Sequence, residues 1–159
     1  MLAHRYHRAM DTIRLRLVCA ALAAALFPAA RATPPAACVP QVDRAWIRLM
    51  PVAMPMRAGY ARLRNGCGTP VVVVGARSEA FGEVSLHETR IVDGVSRMRE
   101  VAELPVAPQA SVEMKPGGLH LMLMQPKADL KIGARVRVEL LLKDGRSLPV
   151  DFEARSAAP

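Results

Sequence analysis

The segment GGLHLMLMQPK, residues 117–127, alternates two kinds of side chain. Successive side chains of a β-strand point to opposite faces, so one face of this segment carries the leucines at positions 119, 121 and 123. The other face carries His120, Met122 and Met124. The leucine face suits a hydrophobic core, whereas an imidazole beside two thioethers is an unusual set for the opposite surface.

The rest of the chain also reads as short strands separated by turns. Turn signals such as Asn65-Gly66 and Asp93-Gly94 stand between runs of alternating or β-branched residues. No long stretch has the 3.6-residue period of an amphipathic helix. The pattern predicts an all-β single domain, an antiparallel sandwich or barrel. The predicted strands cover residues 42–50, 60–65, 70–77, 83–89, 95–101, 111–115, 119–124, 134–143 and 147–154, and residues 51–59 form a loop.

Residues 1–32 have the layout of a secretory signal peptide. Four arginines precede an apolar run of 11 residues, 17–27, which is too short to span a bilayer. The small-x-small sequence at residues 30–32 is a typical cleavage site. We expect an exported, periplasmic protein without a membrane anchor, with a Pro-rich lead-in at residues 33–41, a β-domain at residues 42–154 and a short tail at residues 155–159.

Two alternatives concern this N-terminal segment. A lipoprotein signal ending at Cys19 is disfavoured because Val18 is bulkier than the residue usual before a lipidated cysteine. Most of the apolar run also follows that cysteine rather than preceding it. Translation starts at Met1 or at Met10, since either start leaves a basic segment before the apolar run.

The charge of the mature chain argues against a nucleic-acid partner. Residues 1–32 hold 5 of the 22 basic and 1 of the 14 acidic residues, which leaves 17 and 13, a net charge of +4. A mildly basic surface with few aromatic residues lacks the features of a nucleic-acid interface.

The mature chain has two cysteines, Cys38 and Cys67. In an oxidising compartment two such thiols most simply form a disulfide. A loop of about 30 residues closed in this way is worth roughly 3–4 kcal/mol in the chain-entropy model. The alternative is a thiol metal site or redox site. We favour the disulfide, which would tether the lead-in to a turn.

The remaining metal-capable side chains are two histidines and seven methionines. Taken singly, a methionine usually fills a gap in the core. The predicted strands, however, place His87 on one strand, Met98 on the next and His120-x-Met122 on a third. The four residues are separated by ten, twenty-one and one intervening positions.

This spacing resembles that of the periplasmic copper chaperones called PCu(A)C. The similarity extends over about residues 42–152 and includes the segments DRAWIRLMP, LHET, MREV, KPGGLHLMLM and KDGRSLPVDF. The resemblance implies a cupredoxin-like Greek-key β-barrel or sandwich. It also implies a bound Cu(I) whose ligands are His87, Met98, His120 and Met122, with Met124 outside the ligand set and packed beside the site.

The donor types fit this chemistry without the resemblance. Thioether sulfur is a soft, neutral ligand that selects Cu(I), and imidazole binds either copper state. Methionine also stays usable where thiols would be oxidised. Strand periodicity alone admits either Met122 or Met124 as the second ligand of this strand. Each histidine ring needs a partner at its other nitrogen, for which Glu83, Glu88 or a backbone carbonyl would serve.

The resemblance implies a non-enzymatic metallochaperone that passes copper on by ligand exchange. The expected direction is toward the copper-A centre of cytochrome c oxidase, with an oxidase subunit or a Sco-type assembly factor as recipient. We expect a monomer with one Cu(I) per chain. A cupredoxin-like electron-transfer protein and a metal-free secreted β-domain are the alternatives.

Three features of the sequence concern the surroundings of the expected copper site. Many members of the family carry an acidic residue where this chain has Ser85, so a supporting role for that position is left open. The tail EARSAAP has no histidine or methionine, and no C-terminal copper site is expected. Met50, Met54 and Met56 could relay copper or dock a partner, but we favour an interpretation in which they cover the core and pack within the loop.

Overall fold

The computed structural model describes residues 38–52 and 54–156. This part of the chain contains strands and no helix, so the prediction of an all-β domain is confirmed, and none of its residues form a helix able to cross a bilayer. The ten strands are β1 (Gln41–Arg48), β2 (Met56–Arg64), β3 (Val71–Arg77), β4 (Phe81–Val92), β5 (Val95–Glu100), β6 (Leu104–Val106), β7 (Ser111–Met114), β8 (Leu119–Pro126), β9 (Arg135–Leu142) and β10 (Ser147–Arg155).

All ten strands belong to one mixed sheet. Its order is β5-β4-β8-β2-β1-β10-β9-β3-β6, and β7 pairs with β2 beyond the end of β8. The central pair β1 and β10 is parallel, and the other neighbours are antiparallel. The first and last strands therefore meet in the middle of the sheet. In the sheet order, β2, β8 and β4 follow one another outward from β1.

The hydrophobic core draws on both halves of the sheet. Phe152 of β10 and Ile47 of β1 are fully buried, as are Leu121 and Leu123 of β8. Leu119 is partly buried and packs against the same cluster. Each fully buried side chain of this size contributes about 1.5–3 kcal/mol. The leucine face predicted for residues 119–123 is therefore confirmed as a core face.

A bulge in β1 reverses which face of the sheet Trp46 and Ile47 occupy. The register with β2 shifts by one residue between Asp43 and Trp46, and Arg44 in this interval has a φ of 53°. The extra residue brings Trp46 opposite Tyr60, and the next residue, Ile47, enters the core. Bulges commonly re-aim a side chain in this way.

The largest differences from the predicted strands are two boundaries and one missed strand. β2 begins at Met56, inside the segment predicted to be a loop, and β4 continues to Val92. The short strand β6 was not predicted, because Pro105 at its centre argues against a strand. Since β6 is the terminal strand in the sheet order, this proline lies where a missing N–H donor is tolerated.

Cys38 and Cys67 form a disulfide that links the start of the described chain to the turn after β2. Asn65, which is 1% exposed, organises this turn. Its carboxamide oxygen accepts a hydrogen bond from the Cys67 amide at 3.0 Å. Its amide nitrogen donates to the carbonyls of Thr69 and Val106 at 2.8 and 3.1 Å. The disulfide thus closes onto a turn that is already hydrogen-bonded.

Replacing both cysteines with serine is expected to lower the free energy of unfolding by roughly 3–4 kcal/mol, because the unfolded chain loses a closed loop. Urea denaturation checks this value. Mass spectrometry of the parent should show the loss of two hydrogens and no thiol available for alkylation. Copper stoichiometry should be the same in both proteins, and a change in stoichiometry would instead favour a thiol metal site.

Candidate metal centre

The two histidines lie side by side on the sheet face opposite the leucine core. His87 of β4 and His120 of β8 are direct cross-strand partners, and partners in an antiparallel pair share a face. Their ring centroids are 6.1 Å apart, with 34° between the ring planes. With metal–nitrogen distances of about 2 Å, this separation allows both rings to bind one ion.

Each imidazole has a hydrogen-bonding partner at one nitrogen. Nδ1 of His120 lies 2.9 Å from the carbonyl oxygen of Gly118. Because a carbonyl only accepts, Nδ1 carries the proton and Nε2 keeps its lone pair for a metal. Nε2 of His87 lies 3.1 Å from Oγ of Ser85. When that hydroxyl accepts the Nε2–H, Nδ1 of His87 is the free donor, so Ser85 contributes to the site even though it is not acidic.

The carboxylates considered as orienting partners serve elsewhere. Glu88 lies on the other face of β4, where it pairs with Arg90 at 2.9 Å and with Arg99 at 2.8 Å. Hydrogen bonds from Arg90 and then Arg99 lower the pKa of this carboxyl group. Glu83 is exposed and is paired along the sheet with Met124. Within the described residues, the hydrogen-bonding partners of the rings are Gly118 and Ser85.

Two methionines adjoin the histidine pair. Met122 follows His120 by two residues on the same face, is 9% exposed and lies opposite Ser85. Met98 lies on β5, the terminal strand, opposite Thr89 and 52% exposed. Since Thr89 follows His87 by two residues, Met98 is on the histidine face. The four predicted ligands therefore share one face of three adjacent strands.

An aromatic wall, Trp46 and Tyr60, borders this group and was not predicted. The ring centroids of Tyr60 and His120 are 6.4 Å apart, and those of Trp46 and Tyr60 are 4.6 Å apart. Both aromatic side chains are at least 95% buried, and His120 is 8% exposed. The sequence did indicate that Tyr60 lies on the face opposite the core, because it alternates in phase with two arginines and not with Ala61 and Leu63.

The three methionines between β1 and the start of β2 do not cover the core. Met50, Met54 and Met56 are 53%, 43% and 38% exposed. The part of the interpretation in which they cover the core is wrong, because all three side chains are exposed. Met56 is the first residue of β2 and lies opposite the partly buried Met124. Both side chains therefore belong to the face that carries Met122.

The described chain has no group of three or more His, Cys, Asp or Glu side chains positioned to hold a metal ion. The donors that adjoin the histidine pair are thioethers, which are soft and neutral. A β-domain with two oriented imidazoles and two thioethers on one sheet face belongs to the class of candidate soft-metal-binding domains.

The chain belongs to the LpqE-like family, described as "Putative lipoprotein LpqE-like", whose model matches residues 41–154. The "Putative lipoprotein Lxx21020" of Leifsonia xyli subsp. xyli is 36% identical over 112 residues, 69% of this chain and 66% of that protein. The "Uncharacterized protein RP573" of Rickettsia prowazekii is 28% identical over 104 residues, 64% of this chain. The chain thus spans about two thirds of the first relative and 57% of the second.

Solved PCuAC domains share the fold. The apo PCuAC domain from PmoF1 has a TM-score of 0.63 and 20% identity, covering 74% of this chain and 94% of that one. The copper-bound PCuAC domain from PmoF2 has a TM-score of 0.61 and 18% identity, with coverages of 74% and 93%. The solution structure of CuI-DR1885 from Deinococcus radiodurans has a TM-score of 0.59 and 28% identity, with coverages of 80% and 82%. The predicted resemblance to PCu(A)C proteins is confirmed.

Proposed function

We propose that this protein is an exported, non-enzymatic metallochaperone that binds one Cu(I) per chain through His87, Met98, His120 and Met122. The observation that carries the proposal is the direct pairing of two oriented imidazoles with thioethers on the same face. Copper as the bound ion is supported by the copper-bound PmoF2 domain and by CuI-DR1885.

The neutral donor set favours storage and transfer of Cu(I) over redox cycling. Thioethers stabilise the soft monovalent ion, and this set lacks the thiolate that accompanies two histidines in blue-copper sites. Cys38 and Cys67 are bonded to each other, which argues against the electron-transfer alternative.

The difference in exposure between the proposed ligands suggests how copper leaves. Met98 is 52% exposed on a terminal strand, whereas Met122 and His120 are 9% and 8% exposed. An incoming ligand therefore has access to the Met98 side of the ion first. Displacement of this thioether forms one copper–ligand bond as another breaks, with no change of oxidation state.

The proposed recipient is the copper-A centre of cytochrome c oxidase, reached directly at an oxidase subunit or through a Sco-type assembly factor. The proposed location is the periplasm, after cleavage of the signal at residues 1–32, which lie outside the described residues. Mass spectrometry of the exported protein separates an N-terminus at Thr33 from an acylated Cys19, the alternative that the family's lipoprotein description keeps open.

The function is tested by anaerobic titration with Cu(I) in the presence of a competing chromophoric chelator. We expect one tightly retained Cu(I) per chain and a monomer throughout. Absence of retained copper would favour a metal-free β-domain. An intense visible band after addition of Cu(II) would indicate thiolate ligation and an electron-transfer protein.

A further inference from the structure

A second group of thioethers lies next to the proposed copper centre. Met56 of β2 and Met124 of β8 are direct cross-strand partners on the face that carries Met122. Met54 precedes Met56 by two residues and is 43% exposed. We call Met54, Met56 and Met124 the methionine edge. It shares no residue with the four proposed ligands, and its sulfur-bearing side chains have no place in the core.

The backbone of the methionine edge is held in place by hydrogen bonds. The Arg57 guanidinium donates from Nη1 to the carbonyl oxygens of Met54 and of Met56, the latter at 2.9 Å. The Gln125 amide donates to the Pro55 carbonyl at 2.9 Å. Residues 54–56 are therefore fixed against the end of β8. Such fixing orders ligands before a metal arrives.

The composition of the methionine edge points to one kind of ligand. Three thioethers are neutral and soft, a set that selects Cu(I) over harder ions. Met124 follows Met122 by two residues, a step of about 6.5–7 Å along the strand. An ion at the edge would therefore lie one such step from the proposed centre.

We propose that Met54, Met56 and Met124 form a second Cu(I) site, weaker than the His87/His120 centre, through which the ion enters. This inference rests on the proposed function, since the ion it passes on is the one held by the tight centre. The site is weaker because it has thioethers alone, without an imidazole. Transfer exchanges sulfur lone pairs on Cu(I) one at a time and requires no oxidant or reductant.

The test uses the mature protein with ¹³C-methyl-labelled methionine, titrated anaerobically with Cu(I) and followed by NMR. We expect the first equivalent to shift the methyl signals of Met98 and Met122. The second equivalent should shift those of the methionine edge, with an affinity at least tenfold lower. Met114, which is 3% exposed in the core, is the internal control and should not move.

Two results would overturn the second site. In the first, the methyl signals of the methionine edge remain unchanged through two equivalents of Cu(I). In the second, they shift together with those of Met98 and Met122 in a single one-equivalent step. The Met54→Leu, Met56→Leu double variant should lose the second phase and keep the first.

A second variant separates this inference from the proposed function. In the His87→Ala, His120→Ala double variant the tight phase should disappear, while the methyl shifts of Met56 and Met124 persist at the weaker affinity. A parent protein with no response at Met98 and Met122 contradicts the proposed function. A parent protein with that response alone contradicts only the second site.

Discussion

The Met122→Leu variant is expected to lower the affinity for Cu(I) roughly a hundredfold, a loss of about 2.8 kcal/mol in binding free energy. Leucine keeps the volume and apolarity of a side chain that is 9% exposed, but it removes the sulfur donor. Folding should therefore survive at a cost below ~1.5 kcal/mol. Anaerobic competition with a Cu(I) chelator measures the affinity, and circular dichroism during urea denaturation measures the stability.

Three further leucine variants give the ranking that tests the ligand assignment. Met98→Leu should also weaken retention sharply. Met124→Leu should leave the tight stoichiometry at one and change the affinity only modestly, because its sulfur lies a further strand step from His120. Met114→Leu, in the core, is the matched control for loss of a methionine. A larger loss in Met124→Leu than in Met122→Leu would show that the ligand set is assigned to the wrong methionine.

The Gly59→Val variant is expected to lower the free energy of unfolding by about 3 kcal/mol, through overpacking. Gly59 is buried on β2 opposite Leu121. A Cβ at this position would lie 2.9 Å from Cδ1 of Leu123 and 3.3 Å from Cβ of Leu121. The second contact is the more serious because a Cβ cannot rotate away. Relief requires β2 to move from β8, so Cu(I) affinity should fall as well.

Gly66→Ala is the matched control for the glycine substitution. A Cβ at Gly66 would meet no atom within 4 Å, so the change in stability should stay within about 0.5 kcal/mol. Urea denaturation of both variants under one set of conditions gives the comparison. Equal stability of Gly59→Val and the parent would mean that β2 and β8 do not pack as closely as the structure indicates.

The alternation of side chains along each strand was enough to predict which residues share a face of the sheet. The alternation in residues 119–124 separates the leucines from His120, Met122 and Met124, and burial of Leu121 and Leu123 confirms it. Alternation is a local property, since it depends only on the geometry of a single strand. For the same reason nine strands were predicted at or near their observed positions. The three-residue strand β6, with its central proline, gives no comparable signal.

The sequence pattern did not predict the structure of the segment at residues 51–59, which was expected to be a loop. Met56 was predicted to lie in a segment that covers the core, and it instead begins β2 opposite Met124. The polar and apolar residues around it have no clear period of two. The start of β2 depends on hydrogen bonds to β8, a strand more than 60 residues further along the chain.

The residue pattern alone therefore indicates the strands, the sharing of faces within each strand and the donor types, because these depend on neighbours in the chain. Which strands adjoin is a property of the folded sheet. His87 and His120 meet because β4 and β8 pair in one register, and a slip of one residue would turn a histidine toward the core. Likewise, the β1 bulge brings Trp46 against Tyr60 beside His120. Register and bulge are set by long-range hydrogen bonds and core packing, which no single segment encodes.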